Sequence, residues 1–462
     1  MTHQVISQAN RIVDFPRRTL LGGCAALMAT GSMFGFLEDC ERLGPVVRAR
    51  IFHKSLYLVT GPEQIEEILL TKAKSFHKPI GLRALRWLFG TGLLTSNGEL
   101  WKHRRKLVQP AFHQRHHADY AAELATRIEA MLERLRPGQT DVHEHVVDVC
   151  VEQLMSRFFD STDPELVRAV RGAATSCHDA TQTLMAKPWY YVLPGPVERR
   201  YGEPVRRLER ALLQILRERR ARGIHRGDFF DLLASGKERD GCPLSDAAVR
   251  DEAITMILAG HETVASGVTW ALYLLAKYPD VQRRLAGELA SASASAVPTP
   301  GELARLTLLN RVVKETFRLY PPTHRIGRTS IEPVTLAGVP LPARAELLIS
   351  QWAVHRSARH YDRPTEFDPD RWTDELVARL PRCAYLPFSA GPHVCIGESM
   401  ATTEVSLVVA ALVRKFELRL PADWRGDPPP AEGLTLLPCS VPLTLVRRAA
   451  EMERRTSSMT LT

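Results

Sequence analysis

The 462-residue sequence lacks the marks of several large protein classes. Its eight cysteines show neither a pairing pattern nor a CxxC spacing, which argues against a disulfide framework or a zinc site and indicates a reducing compartment, the cytoplasm. It has no internal repeat, no Gly/Ser linker and no long block of like charge. Lys and Arg are not interleaved with aromatic residues, so the net charge of +9 favours a basic docking face and no nucleic-acid partner. One large unit therefore fits better than the roughly three domains that length alone allows.

The one long uncharged run, residues 20–37, has two interpretations. It follows Arg17-Arg18, a pattern typical of a twin-arginine signal or a membrane anchor. However, it contains four glycines, a serine and a threonine, and it is at the short limit for crossing a bilayer. We expect a soluble, monomeric protein, while association with a membrane stays open.

Helical patterns dominate the middle of the sequence, and short strand patterns lie towards its two ends. We therefore predict a mainly α fold with small β-sheets. Ser245 is expected to cap a helix of about thirty residues that Pro279 ends, a rod of roughly 50 Å. The apolar side chains of this helix that we expect to be buried are Ile254, Ile257, Leu258, Val264 and Leu272. Strands are predicted at residues 46–51, 56–59, 347–350 and 443–446, with a hairpin at 334–339.

A single cysteine near the C-terminus carries the strongest chemical signal. Cys395 lies in residues 388–397, which read Phe-x-x-Gly-x-His-x-Cys-x-Gly at fixed spacing. A thiolate is the most electron-donating axial ligand that a protein gives haem iron, and Gly391 and Gly397 would let the backbone turn tightly beneath a flat macrocycle. Phe388 would cover the thiolate. A buried structural cysteine is the alternative, but five fixed positions make chance a poor explanation.

A second signal lies in the middle of the long predicted helix. Residues 259–263 read Ala-Gly-His-Glu-Thr. Glycine costs about 1 kcal/mol in a helix, and Thr263 can bond back to a carbonyl and bend it. The segment is either ordinary buried helix or a local opening that admits O2 and water, and the acid-alcohol pair Glu262 and Thr263 favours the opening.

With these motifs, the sequence resembles the cytochrome P450 family, whose motifs occur in the expected order from about Trp101 to Gly397. The resemblance implies one P450 domain over residues 1–462, with a β-containing part at about 40–75 and 320–462 and a helical part at about 75–320. It also implies heme b (iron protoporphyrin IX) under the long central helix, with Cys395 as the iron ligand. Other residues that would contact the cofactor are Trp101, Arg105, Arg328, His393, Phe388 and Gly397.

The resemblance assigns cationic residues to the haem propionates. Trp101 and Arg105 are four residues apart at a basic helix start and match the family's Trp-x-x-x-Arg pair, and Arg328 matches another contact at the start of a strand. His393 stands where arginine is commoner in the family. Burying the anionic edge of the porphyrin requires such cations.

By the same resemblance, Thr263 and Glu262 would be catalytic and would deliver protons to the oxygen that is being activated. Glu315, Arg318 and Arg371 match a buried structural triad behind the cysteine loop, so we expect them to support that loop and not to take part in the chemistry.

The function expected from these motifs is a haem-thiolate monooxygenase that inserts one oxygen atom from O2 into a lipophilic small molecule. A peroxygenase is disfavoured because Glu262 and Thr263 are retained, and a gas sensor or carrier would need no proton relay. An oxidative coupling or tailoring enzyme acting on a carrier-bound or aromatic secondary metabolite stays open as the alternative.

We expect electrons to come from separate proteins, a ferredoxin and a ferredoxin reductase, because no flavin-binding or ferredoxin-like segment follows Gly397. Lys102, Arg104 and Lys106 are expected to form the basic docking face. The family's pocket positions correspond to residues 80–89, 182–191, 323–326 and 434–437, which suit a terpenoid or fatty-acid-like compound. Within them, His324 and Arg325 would either contact a substrate carboxylate or point to solvent.

Overall fold

The computed structural model describes residues 12–15, 32–51, 54–161, 163–187, 190, 193–224, 227–292, 295–438 and 440–448. The fold is mainly α with small β-sheets, which confirms the predicted class. The chain forms two compact units, a first of Met1–Arg83 with Phe317–Cys395 and a second of Ala84–Thr316 with Ile396–Thr462. The assignment of all 462 residues to one domain stays a prediction.

The first unit is built on a six-stranded sheet. Its strands, in spatial order, are Val13–Asp14, Val46–Ile51, Lys54–Val59, Glu346–Ile349, Ile326–Ser330 and Phe76–His77. Three of the five neighbouring pairs are antiparallel. Val13–Asp14 runs parallel to Val46–Ile51, and Lys54–Val59 runs parallel to Glu346–Ile349. The strands predicted at residues 46–51, 56–59 and 347–350 are therefore confirmed to within two residues at each end.

Short helices surround this sheet and bury its apolar side chains. They are Met33–Leu43, Pro62–Glu66, Gln351–His355 and Asp374–Arg379, with a π-helical turn at Glu67–Thr71. Val59, Ile65 and Ile349 are completely buried in its core. The predicted hairpin is confirmed as Val334–Leu336 paired with Val339–Leu341. Its turn residues, Ala337 and Gly338, both have positive φ, as a tight two-residue turn requires.

The second unit is mostly helical. Its helices are Arg86–Phe89, Gly98–Val108, His117–Arg134, Val142–Phe159, Pro164–Ala186, Gly195–Arg222, Phe229–Ala234, Asp246–Gly260, Glu262–Lys277, Pro279–Ala292, Pro300–Leu303 and Glu398–Lys415, and it also holds most of Thr307–Leu319. A three-stranded sheet joins Phe416–Arg419, Pro442–Arg447 and Gly138–Asp141. The strand predicted at residues 443–446 is thus confirmed. A two-stranded hairpin pairs Pro430–Glu432 with Leu436–Pro438.

The long helix predicted from Ser245 to Pro279 is wrong as one continuous rod. Ser245 does cap the start, since its side chain accepts the Ala248 N–H, but the helix ends at Gly260 and a second one begins at Glu262. The five apolar residues predicted to bury it are all buried. Pro279 does mark the end, because it is the first residue of the helix that follows.

No helix in the described part of the chain is long and apolar enough to span a membrane. Residues 20–31, which carry most of the uncharged run, lie outside the described residues.

Candidate active site

The cysteine loop, residues 388–395 of the first unit, is closed by its own backbone. The Cys395 N–H donates to the Phe388 carbonyl at 2.9 Å, and the Val394 N–H donates to the Gly391 carbonyl at 3.1 Å. The Cys395 side chain is exposed. The loop therefore presents the sulfur on a backbone that its hydrogen bonds hold in one shape.

Gly391 is the position at which this loop requires glycine. Its φ is 70°, and a β-carbon there would overlap the backbone carbonyl of Leu69. Gly391 also begins a 3-10 turn that ends at His393, whose side chain is half-buried. Gly397, in contrast, has an ordinary backbone conformation (φ −92°, ψ 7°) and begins the helix Glu398–Lys415. Its assignment to the cofactor stays a prediction.

Two buried side chains that the sequence did not single out anchor the start of the loop. The Gln351 amide nitrogen donates to the Leu386 carbonyl at 2.7 Å, and the Leu386 N–H donates to His355 Nε2 at 3.0 Å. Burial and the nearby Arg318 lower the pKa of His355 to about 3, so its ring is neutral and Nε2 is free to accept. Only the folded chain brings residues 351 and 355 to residue 386, so no local sequence signal marks them.

Arg318 and Arg371 donate hydrogen bonds to one cluster of backbone carbonyls in the same unit. Arg318 is completely buried and donates to the carbonyls of His355 (2.7 Å), Pro364 (2.6 Å) and Glu366 (3.1 Å). Arg371 donates to that Glu366 carbonyl at 3.1 Å. The expectation that these arginines are structural agrees with these contacts, and Glu315 is also completely buried.

Arg328 is a buried cation on the strand Ile326–Ser330. Its guanidinium donates to the Gly327 carbonyl at 2.8 Å, and no carboxylate of the described residues pairs with it. Burial alone lowers its pKa, to about 10. A buried cation without a counter-charge is costly, so this position favours an anionic ligand. In the same unit the Phe388 ring packs edge-on against Phe317 at 5.5 Å.

In the second unit, the helix Gly98–Val108 carries Trp101, which is buried, and Arg105, which is half-buried. Here one expectation is wrong: Arg104 is not part of an exposed basic face. It is buried and pairs with Glu238 at 2.8 Å and Glu252 at 3.7 Å. Arg104 lies three residues after Trp101, so both share the inward face of the helix.

The helix Asp246–Gly260 ends within the acid-alcohol segment. The Thr263 hydroxyl donates to the Ala259 carbonyl at 2.9 Å, and His261 Nδ1 bonds the Ile257 carbonyl at 2.7 Å. Ala259 and Gly260 are exposed although residues 251–258 are all buried. The side chains of Thr263 and His261 thus hydrogen-bond to backbone carbonyls at the break. The helix opens where the sequence predicted a local opening.

Glu262 begins the next helix, and both of its carboxylate oxygens have neighbours. Oε2 accepts from the Thr435 hydroxyl at 2.9 Å, and Oε1 lies 3.2 Å from His178 Nδ1. Burial raises the pKa of Glu262, whereas the neighbouring His178 lowers it. Together they leave this pKa below its usual value. The acid therefore stays ionised near neutral pH. His178 was not identified from the sequence, and Thr435 was named only within the predicted pocket stretch 434–437. Neither contact with Glu262 was predicted, because both residues are far from residue 262 along the chain.

Of the predicted pocket stretches, the described residues allow one further correction. His324 is completely buried beside the Phe34 ring, with 5.5 Å between ring centroids, so it neither points to solvent nor offers a cation to a carboxylate. Burial holds its pKa well below the usual value. Arg325 is half-buried. Residues 188, 189 and 191 lie outside the described residues.

The comparisons with known proteins agree on one family. The family model described as cytochrome P450 matches residues 15–444. Cyclooctat-9-en-7-ol 5-monooxygenase of Streptomyces melanosporofaciens is 32% identical over 83% of this chain and 84% of its own length. Pentalenene oxygenase of Streptomyces avermitilis is 28% identical over 84% of this chain and 87% of its own length.

A solved structure supports the fold. The crystal structure of the cytochrome P450DA heme domain matches 95% of this chain and 98% of its own, with a TM-score of 0.81 and 24% sequence identity. At this identity the likeness speaks for the fold alone.

Proposed function

The chain belongs to the cytochrome P450 family and is therefore a haem monooxygenase, and we propose that its substrate is a terpenoid. We propose further that its electrons come from a separate redox protein. The observation that carries the site is the exposed Cys395 thiol on a closed loop, at the position of the family's iron ligand. The cofactor is protohaem IX.

The residues of the first unit fit this group. Arg328 is a buried cation that no described carboxylate neutralises, which suits a haem propionate. Gly391 lets the loop pass close to the Leu69 carbonyl, where a side chain has no room. We propose that Cys395 ligates the iron and that Arg328 and His393 bind propionates, with Phe388 beside the sulfur.

Residues of the second unit would bind a haem propionate and transfer protons. Trp101 and Arg105 would bind a propionate from the helix Gly98–Val108. When bound, haem supplies the O2 activation and the oxidising equivalent that side chains lack. Thr263 would then hold a proton at Oγ1 beside the opened helix, and Glu262 would move protons towards it from its carboxylate.

The substrate proposal rests on the relatives and on the pocket residues. One relative is named for oxygenating pentalenene and another for cyclooctat-9-en-7-ol, and both compounds are terpenoids. In this chain, Leu85, Leu88 and Phe89 of the first predicted stretch are buried and apolar. His324 is neutral and enclosed, so of the two residues considered for a fatty-acid carboxylate only the half-buried Arg325 carries a charge. These features favour a terpene hydrocarbon or alcohol over a fatty acid.

The experiment combines a spectrum with product analysis. The reduced carbon monoxide complex should show the red-shifted Soret band of a thiolate ligand, and Cys395→Ser should lose it while Cys242→Ser, at an exposed cysteine of the other unit, keeps it. Purified enzyme with a ferredoxin, its reductase and a panel of cyclic terpenes should give products that carry one 18O atom from 18O2. Retention of the band in Cys395→Ser, or coupled products without added oxygen, would overturn the assignment.

A further inference from the structure

The Glu262 carboxylate is enclosed in a junction of three elements of the second unit. Thr435 reaches it from the turn between Pro430–Glu432 and Leu436–Pro438, and His178 reaches it from the helix Pro164–Ala186. Glu262 is only 15% exposed and both of its oxygens have these neighbours, so His178 offers a direct route for a proton to the carboxylate.

His178 is the titratable member of that pair of neighbours. The Thr435 hydroxyl is buried and does not titrate in the accessible pH range. The His178 side chain is 19% exposed, so it contacts both the solvent and the enclosed acid. Its two ring nitrogens face different groups, since Nδ1 lies 3.2 Å from Glu262 and Nε2 lies 2.9 Å from the Gln182 amide nitrogen.

The junction is built to keep this ring in place. The Leu434 N–H donates to Thr181 Oγ1 at 3.3 Å, which pins the hairpin turn against the helix that carries His178. A β-carbon at Gly433 would lie 3.4 Å from His178 Nδ1, so the turn packs directly on the ring. From the other side, the Ser266 hydroxyl donates to the Leu436 carbonyl at 2.6 Å.

We propose that His178 supplies protons to Glu262, and thereby serves the proton delivery that the proposed function assigns to that acid. The imidazolium breaks its Nδ1–H bond and an O–H bond forms at Glu262 Oε1, which leaves a neutral ring and a carboxylic acid. The acid passes its proton inward and returns to carboxylate, and a hydronium ion then breaks one of its O–H bonds and restores the Nδ1–H bond of the ring. Glu262 thus has a proton source although its carboxylate is enclosed.

Electrostatics keeps the donor protonated, and the transfer itself runs uphill because His178 also lowers the pKa of Glu262. The Glu262 carboxylate raises the pKa of His178, so the ring carries its proton at pH values where an ordinary histidine has begun to lose it. The other charged or titratable groups around it are Asp179 on its own helix, which also raises that pKa, and His143 on Val142–Phe159. The Nδ1 to Oε1 separation of 3.2 Å is within the distance of an ion pair, so the ring and the acid are in direct contact.

The test uses His178→Asn, His178→Leu and Glu262→Gln. The asparagine amide can keep a donor near the Nδ1 position but cannot titrate, so it separates proton supply from positioning. We expect product per NAD(P)H consumed to fall on the order of tenfold in both His178 variants, with hydrogen peroxide as the lost fraction. His143→Asn, at a nearby histidine that bonds Thr269 and not Glu262, should keep the wild-type ratio.

The pH profile and an NMR titration give independent readouts. Wild-type coupling should fall as pH rises through the raised pKa of His178, and the His178→Asn profile should be flat and low. In the holoenzyme's reduced carbon monoxide complex, the His178 ring resonance should titrate above the usual histidine value and shift towards it in Glu262→Gln.

The outcomes separate this inference from the proposed function. If Glu262→Gln uncouples turnover while His178→Asn does not, His178 only positions the acid or the turn, and the proton-supply role is wrong. If His178→Asn is coupled and His178→Leu is not, the role is positioning, which also overturns the inference. If Glu262→Gln is fully coupled, the role proposed for Glu262 fails, and the inference fails with it.

Discussion

Gly391 lies so close to the backbone carbonyl of Leu69 that a β-carbon on residue 391 would overlap that oxygen. The same residue has a φ of 70°, which L side chains rarely adopt. Gly391→Ala should therefore displace the cysteine loop and add strain on the order of 1–3 kcal/mol. We expect reduced haem incorporation, measured as the ratio of Soret to protein absorbance, and a lower midpoint of urea unfolding.

A second glycine provides the control for that substitution. Gly287 lies in the helix Pro279–Ala292, has an ordinary φ, and has open space where a β-carbon would be added. Gly287→Ala should leave haem content unchanged and stabilise by roughly 0.5–1 kcal/mol, because alanine is the better helix former. Equal haem content in Gly391→Ala and Gly287→Ala would show that the loop tolerates a side chain at residue 391.

A buried acid in the second unit predicts a dependence of stability on pH. Glu404 is enclosed and accepts a hydrogen bond from the Tyr120 hydroxyl at 2.7 Å. Burial raises its pKa from 4.5 to about 7. The folded state therefore binds a proton that the unfolded chain releases between those values, so stability is lost as pH rises from about 4.5 to 7, by on the order of 3 kcal/mol.

Glu404→Gln should remove this dependence, since the amide still offers an oxygen to Tyr120 without a charge. Compared with the wild type, the variant should unfold at a similar urea concentration at pH 5 and at a higher one at pH 8. Glu129→Gln, at an exposed carboxyl on the helix that carries Tyr120, serves as the control and should change neither midpoint. A wild-type advantage at pH 8 would show that the Glu404 charge is stabilised by a group outside these contacts.

Local patterns were sufficient for several strands and for one helix cap, because each depends on neighbours within a few residues. The strand Val46–Ile51 and the cap at Ser245 are examples. A local opening near His261 was expected, but one continuous helix was still predicted because apolar periodicity continues across the break. The bonds from the His261 and Thr263 side chains to backbone carbonyls lie where the first helix stops.

The burial of Arg104 could have been predicted from the spacing of the residues on its helix. Trp101, Arg104 and Val108 are spaced three and four residues apart, and all three are buried on one face of their helix. The pairing of Glu262 with His178 had none, since it joins two helices that are distant in the sequence. Side-chain partners of this kind are fixed only by tertiary packing.

Thr263→Ala tests the oxygen-activating role of the opened helix. The substitution removes the hydroxyl that lies at the break, so ordered proton delivery should fail while haem binding and substrate affinity are retained. Product per NAD(P)H should fall roughly tenfold or more, and peroxide should rise. Thr255→Ala removes a similar bond, from Oγ1 to the Asp251 carbonyl, and should remain coupled. Unchanged coupling in Thr263→Ala would leave its hydroxyl only the role of bending the helix.

The exposed basic residues of the helix Gly98–Val108 test the electron donor. With Arg104 buried and Lys102 paired with Glu99 at 2.5 Å, Lys106 is the exposed cation that remains of the predicted cluster. If an acidic ferredoxin docks there, Lys106→Glu should slow reduction about 3- to 10-fold at low ionic strength, and the difference should vanish near 0.5 M salt, about where screening reaches only a few ångströms. Arg222→Glu, at the exposed end of another helix, changes the net charge equally and is the control. Equal rates for both variants in stopped-flow reduction would mean that net charge alone attracts the donor and that this helix is not its docking site.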